Sequence, residues 1–347
     1  MSRGFFRINC NGSHKEFFDE FGKSKKAYDN GMDIIFDDSM EGNIFNSVVT
    51  RFEKKIQLPD NWQKQRIYYS NGDVNLANNF NKDGDHIFGN CISNPLALLD
   101  RTKYYLKREI IDTVQVQNPL MADRHFILLC AVPKLHRFRL IDELHLNGLT
   151  HNGWYTWLER SMATPAGWIN GGKSEWRGAT KTLDLDRDSI EQGVAQEKVP
   201  NEYYKSFFDI ALESIVDDRI IFYTEKTWKN LLRGKLFLPL GGQNGVQYLR
   251  SLGFKMYTEL FNYDYDVLPN ERRIQAFNNE IHRLCRTPLR TLKQTYMENA
   301  QEIERKIQHN KELAYSLQAN QWGSFFDTEN HVYIAPPNLK NSPNYGQ

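Results

Sequence analysis

The sequence predicts an α/β protein made of two Rossmann-like domains with parallel sheets. Three observations carry this reading. Short apolar runs alternate with segments of helical period along most of the chain. Several of these runs end in Asp, Asn or Gly, as strands do at the carboxyl edge of an open α/β sheet, where ligands bind. Phe126-Ile127-Leu128-Leu129-Cys130-Ala131-Val132 is almost continuously apolar, which suits a strand buried on both faces. Two such sets of segments, split near residue 120, fit the length prior for 347 residues.

The elements follow in order. Residues 32–36 read as a strand ending at Asp37-Asp38, and residues 44–55 have helical spacing. Residues 66–69 read as a strand ending at Asn71-Gly72-Asp73, residues 75–84 as polar loop, and residues 86–88 as a third strand. The apolar run at 124–132 follows, then a helix over 135–146 with Leu140, Ile141 and Leu144 on one face and Gly148 as its stop. A polar interval covers 162–200. Phe207, Phe208, Ala211, Leu212 and Ile215 predict a helix over 203–216. Strands are expected at 220–223, 236–240 and 254–257, and helices from Thr224, over 246–252 and over 271–285. The domains are therefore 1–120 and 121–287, with one long charged-faced helix over 288–318 bracing them. An irregular tail, 319–347, carries Pro336-Pro337 and Pro343.

Composition narrows the function classes. Charged residues at 25% and aromatics at 13% describe a soluble, well-packed globule, and a net charge of +1 gives no global field for nucleic acid. Residues 1–15 are polar, so no secretory signal is expected, and no apolar run is long enough for a membrane span. Cys10, Cys91, Cys130 and Cys285 show no paired spacing, so a zinc site or disulfide framework is not expected and a cytoplasmic location is. The histidines lack metal-ligand spacing, and Asp264-Tyr265-Asp266 is too generic to claim a metal.

The segment Ile220-Ile221-Phe222-Tyr223-Thr224-Glu225-Lys226-Thr227-Trp228-Lys229-Asn230-Leu231-Leu232-Arg233-Gly234 is the richest in chemistry. Thr224 suits an N-cap, Glu225 the first turn, and Gly234 the residue after the helix. Trp228, Leu231 and Leu232 form the buried stripe. A carboxylate and an ammonium then stand at the positive end of a helix dipole, where phosphates and sugar hydroxyls bind. An acid in the first turn is also favoured by the dipole alone.

Thr-Glu-Lys followed by an apolar helix, a strand and Gly241-Gly242 resembles the donor-site motif of fucosyltransferase-like GT-B glycosyltransferases. The chain is more similar still to a group of phage and marine-virus proteins with that C-terminal domain. There the pattern continues as in Tyr248-Leu249-Arg250-Ser251-Leu252-Gly253-Phe254 and Asp264-Tyr265-Asp266 here. A second match is Pro133-Lys134-Leu135-His136-Arg137-Phe138-Arg139-Leu140, which follows the buried strand and precedes Gly148-Leu149 and Trp154-Tyr155. The resemblance covers roughly residues 124–318. It implies a GT-B-like fold of two facing domains and an inverting transfer from a UDP- or GDP-linked sugar, with no metal required. Arg137, with His136 beside it, and Lys226 would contact the diphosphate. Glu225, next to Thr224, would accept from ribose hydroxyls, and Lys229 is a further phosphate candidate. A developing diphosphate leaving group is stabilised by fixed cations, and arginine binds phosphate oxygens in pairs.

The N-terminal domain would then supply the acceptor site and a base to deprotonate the acceptor hydroxyl. Asp37, Asp38, Asp73, Asp83, Asp85 and His86 stand at expected strand ends, and Asp38 and Asp73 are preferred for their place at the sheet edge. A viral origin would make the acceptor a hydroxylated or hydroxymethylated pyrimidine in phage DNA, in the host cytoplasm, with its base flipped out of the stack. Residues 23–26, 51–55 and 103–108 are basic enough to hold DNA phosphates and read equally as solvated faces. A glycan or a protein side chain is an equally open acceptor.

Gly167-Trp168-Ile169-Asn170-Gly171-Gly172-Lys173-Ser174 fits the P-loop pattern and points to a nucleotide hydrolase or kinase using Lys173. A P-loop must follow a buried strand and open a helix. Neither flank does so, because Pro165 precedes it and Glu175-Trp176-Arg177-Gly178 follows. The segment therefore reads as a loop.

Overall fold

A computed structural model describes residues 5–10, 14–38, 59–63, 67–71, 90–93, 99, 102–103, 118–130, 134–157, 199–317, 326–327 and 332–333. The chain divides into two compact units. One comprises Met1–Asp100, Arg219–Phe222 and Leu317–Gln347, the other Arg101–Asp218 and Tyr223–Ser316.

The first unit holds four parallel strands in chain order: β1 (Phe5–Asn9), β2 (Asp33–Asp38), β3 (Ile67–Asn71) and β4 (Asn90–Ser93). Ile8 pairs with Phe36, and Ile34 with Ile67. Helix α1 (His14–Asp29) joins β1 to β2. Its Phe17, Phe21, Ser24 and Tyr28 recur at helical spacing and are all buried, so one face of the helix closes the sheet. Trp62 stacks on Tyr28 with ring centroids 4.7 Å apart. The sequence signalled β2 and β3, but β1 and α1 were not anticipated. Beyond residue 318, where an irregular tail was expected, β9 (Phe326–Asp327) and β10 (Val332–Tyr333) form an antiparallel pair. The expected elements at 44–55, 75–84 and 86–88 lie outside the described residues, as does the interval 162–198.

The second unit holds another parallel sheet, of β5 (Arg124–Cys130), β6 (Gly153–Trp157), β7 (Ser206–Leu212) and β8 (Phe237–Leu240), in the spatial order β6-β5-β7-β8. Helix α2 (Leu135–Leu146) links β5 to β6 and has the expected bounds. Strand β6 was not anticipated. It begins at Gly153, opposite Phe126, where a Cβ would run into the Phe126 ring and force it to move.

The helix expected over 203–216 is instead a short helix α3 (Asn201–Lys205) followed by β7. Helical spacing was present, but so was an apolar run, Phe207 to Leu212, interrupted only by Asp209. Every residue of β7 is buried, with Phe207 against Tyr296 and Phe208 against Phe261. A strand covered on both faces needs no alternation, and that is how the two patterns become confused.

Helix α4 (Glu225–Arg233) is present as expected, ending at Gly234 with φ 70. No strand precedes it directly: residues 220–223, expected as a strand, carry no regular secondary structure. Residues 254–257 also fail to form a strand. The Asn310 amide takes the place of a neighbouring strand there, accepting from Lys255 N at 2.8 Å and donating to Lys255 O at 2.8 Å. Helices α5 (Gly245–Ser251) and α6 (Asn270–Arg286) follow. The single long helix expected over 288–318 is two, α7 (Leu289–Glu298) and α8 (Ala300–Ser316). Asn299 breaks it by donating its side-chain amide to Thr295 O and so competing with the helical backbone. No helix among the described residues is long and apolar enough to cross a membrane.

Candidate functional site

Chain order and spatial order disagree in the second sheet at one place. From β5 the chain moves to β6 on one side, then returns to β7 on the other. In open α/β sheets such a reversal leaves a crevice beyond the carboxyl ends of the two strands, and ligands bind there. Lys134, His136 and Arg137 follow β5, and Glu213 follows β7.

Glu213 is fully buried and organises the start of α4. Its Oε2 accepts from Thr224 N at 3.1 Å and from the Thr224 hydroxyl, and its Oε1 accepts from the Thr227 hydroxyl at 2.6 Å. Thr224 is the N-cap, and its Oγ1 accepts from Lys226 N at 3.4 Å. Burial pushes the Glu213 carboxyl above the usual range, while Lys226 and the two hydroxyls oppose the rise.

Beside this cap, Lys226 Nζ lies 2.6 Å from Glu225 Oε1 and donates to Thr224 Oγ1 at 3.2 Å. Burial alone would raise the Glu225 carboxyl. The Lys226 ammonium, with Lys229 beyond it, instead brings it below the usual range. The pair therefore presents a carboxylate acceptor and an ammonium donor together at the positive end of α4.

The opening turn of α2 reaches the same strand end from the other side. Arg137 is 3% exposed, and its Nη2 donates to Leu212 O at 2.9 Å and Glu213 O at 3.2 Å. His136 Nε2 donates to Glu213 O at 3.0 Å, and Lys134 Nζ donates to Ser214 O. These carbonyls belong to the last residue of β7 and the two that follow it, and buried carbonyls require donors. His136 is pushed down to about 3, by burial foremost and then by the Arg137 charge, so it is neutral and carries its proton on Nε2.

Lys229 faces elsewhere. It is 4% exposed, with Nζ 3.7 Å from Asp209 Oδ2. Asn230 Nδ2 donates to the same Asp209 oxygen at 2.7 Å, and Tyr203 OH donates to Asn230 Oδ1. Lys235, also buried, donates to Tyr203 O and Ser206 O. This polar network joins α4 to β7, and Asn230 Nδ2 also donates to Lys226 O at 2.7 Å.

The Asp264-Tyr265-Asp266 turn serves α5. Asp266 accepts from Val246 N at 2.8 Å and Gln247 N at 2.9 Å, capping that helix with a carboxylate. No group of three or more His, Cys, Asp or Glu among the described residues is arranged to hold a metal ion. An open depression of about 730 Å³ is lined by residues including Gln247, Arg250, Asn262, Tyr263 and Asp264, and none of Arg137, Glu213 or Glu225 borders it.

Asp38 is the last residue of β2, at the carboxyl edge of the first sheet, where it pairs with Asn71. Asp73 and Lys173 lie outside the described residues. Of the residues singled out in the sequence, the structure brings together His136, Arg137, Thr224, Glu225 and Lys226 around the end of β7. Glu213 was missed, although a lone acid directly after a buried apolar run is the signal that would have found it. The mistaken helix over 203–216 turned it into an ordinary helix-surface acid.

Comparison with protein-family models, with curated proteins and with solved structures returned no match.

Proposed function

We propose that the chain is a nucleotide-sugar-dependent glycosyltransferase of GT-B-like organisation, with the donor bound at the start of α4. The observation that carries this reading is the Glu225–Lys226 pair, 2.6 Å apart at a helix N-terminus beside a topological switch point. A nucleoside diphosphate has the complementary chemistry. Its ribose hydroxyls donate to Glu225, and its phosphates accept from the Lys226 ammonium at the positive end of α4. As the glycosidic bond breaks, charge grows on the departing diphosphate, and a fixed ammonium aligned with a helix dipole stabilises it. Arg137, buried against Leu212 O and Glu213 O, adds positive charge at the same strand end.

In this reading the N-terminal unit receives the acceptor, with Asp38 or Asp73 removing its hydroxyl proton in an inverting transfer. The acceptor classes are a hydroxylated pyrimidine in DNA, a glycan and a protein side chain. The donor is UDP- or GDP-linked, and the chemistry needs no metal.

The test is thermal stabilisation against nucleoside diphosphates, nucleotide sugars and ATP, because ligands that bind only the folded state raise Tm by mass action. The reading expects a shift with a UDP or GDP compound that disappears in Glu225→Ala and Lys226→Ala. A shift with ATP alone that disappears in Lys173→Ala would replace it with nucleotide hydrolysis.

A further inference from the structure

The residue linking both halves of the site is Glu213, which neither contacts solvent nor resembles a ligand-binding group. Its carboxylate accepts from the backbone and hydroxyl of Thr224 and from the hydroxyl of Thr227. Its carbonyl accepts from His136 and Arg137. One residue thus fastens the first turn of α2 and the first turn of α4 to the end of β7. A buried carboxylate is costly unless fully hydrogen-bonded. The two threonines supply that bonding, and in return the carboxylate fixes where α4 begins.

We infer that Glu213 is a positioning residue: by holding Thr224 and Thr227 it orients the adjacent Glu225–Lys226 pair toward the ligand. This rests on the nucleotide-sugar reading for the ligand's identity, but not for the positioning itself. The positioning is carried by the carboxylate's two hydrogen-bond acceptor atoms. Glutamine at this position offers one oxygen to Thr224, and its amide donates to a reoriented Thr227 hydroxyl. Alanine offers nothing and leaves the buried Thr224 amide without an acceptor.

Two readouts on the full chain test the inference in the wild type, Glu213→Ala, Glu213→Gln, Thr227→Val and Glu225→Ala. One is affinity for UDP, GDP, ADP and CDP by titration calorimetry. The other is hydrogen exchange of the Thr224 and Lys226 amides, with the Lys255 amide, bonded to Asn310, as the internal control. Glu213→Ala is expected to weaken nucleoside diphosphate binding and to speed exchange at Thr224, each by about 10-fold or more, with Lys255 unchanged. Glu213→Gln is expected to stay within about 3-fold of wild type in both. Unchanged exchange at Thr224 in Glu213→Ala would overturn the inference. So would equal acceleration at Thr224 and Lys255, or loss in Glu213→Gln as large as in Glu213→Ala. If Glu213→Ala does not fold, Thr227→Val decides on the same terms, with a smaller expected acceleration at Thr224. If the wild type binds none of the diphosphates, or Glu225→Ala binds as the wild type does, the nucleotide-sugar reading fails while the exchange comparison still decides the positioning role.

Discussion

Lys226 Nζ sits 2.6 Å from Glu225 Oε1, with each side chain 17% exposed, so the two charges satisfy one another at the mouth of a helix N-terminus. On the proposed reading a nucleoside diphosphate would part them, its ribose hydroxyls replacing Lys226 as partners of Glu225 and its phosphate replacing Glu225 as partner of Lys226.

A partly exposed pair of adjacent residues contributes little to stability. Lys226→Ala is expected to lower unfolding free energy by only about 1 kcal/mol while removing diphosphate affinity. Urea unfolding run alongside titration calorimetry separates the two effects.

Lys229 is expected to behave in the opposite way. It is buried against Asp209 within the network of Asn230 and Tyr203. Lys229→Ala leaves that carboxylate without its cation and should cost about 3 kcal/mol. Urea denaturation measures this loss, and a fully stable Lys229→Ala protein would show that Asn230 alone satisfies Asp209.

His136 supplies a pH dependence. Its folded value is pushed down to about 3 from the ordinary 6.5, so below the ordinary value the unfolded chain binds a proton that the folded chain refuses. Stability from this residue is complete above the unfolded value and falls as pH drops through the window between the two. At about pH 5 the loss is about 2 kcal/mol relative to neutral pH. Glu213, raised by burial, acts in the opposite sense: its destabilisation is relieved as pH falls from its raised value toward the usual carboxyl range. The difference between wild type and His136→Gln in urea midpoint at two pH values isolates the histidine, and parallel pH profiles would contradict the assignment.

Gly153→Ala drives a methyl group into the Phe126 ring at the β5–β6 junction, where the ring is fully buried. The expected cost is about 2 kcal/mol. Adding Phe126→Leu should recover part of it, which thermal unfolding of the single and double variants checks.

Much of the second sheet could be read directly. β5, α2, β8 and α6 carry unmixed patterns: a continuous apolar run, or a 3.6-residue stripe closed by Gly148 or opened after Pro269. Ambiguity arose where one segment satisfied two periods. Phe207 and Phe208 begin a run that suits both a helix face and a doubly buried strand, and only the cover from Tyr296 and Phe261 decides between them. Tertiary partners also decided 254–257, where Asn310, some 55 residues away, supplies the backbone partners that a strand would have needed. At the site, the Thr224 cap and the Glu225–Lys226 pair are local and were legible. The inward turn of Lys229 depends on contact with Asp209 of β7, which no local pattern encodes, whereas Glu213 was hidden by reading 203–216 as a helix.

Hydrogen-exchange mass spectrometry with a panel of UDP- and GDP-linked sugars and ATP locates a bound donor on the chain. A nucleotide sugar is expected to slow exchange at the start of α4 and at the end of β7, around Glu213 and Thr224–Lys226, and Glu225→Ala to abolish the effect. Protection confined to the depression around Arg250 and Tyr263, or to the Lys173 segment with ATP alone, would contradict the nucleotide-sugar reading.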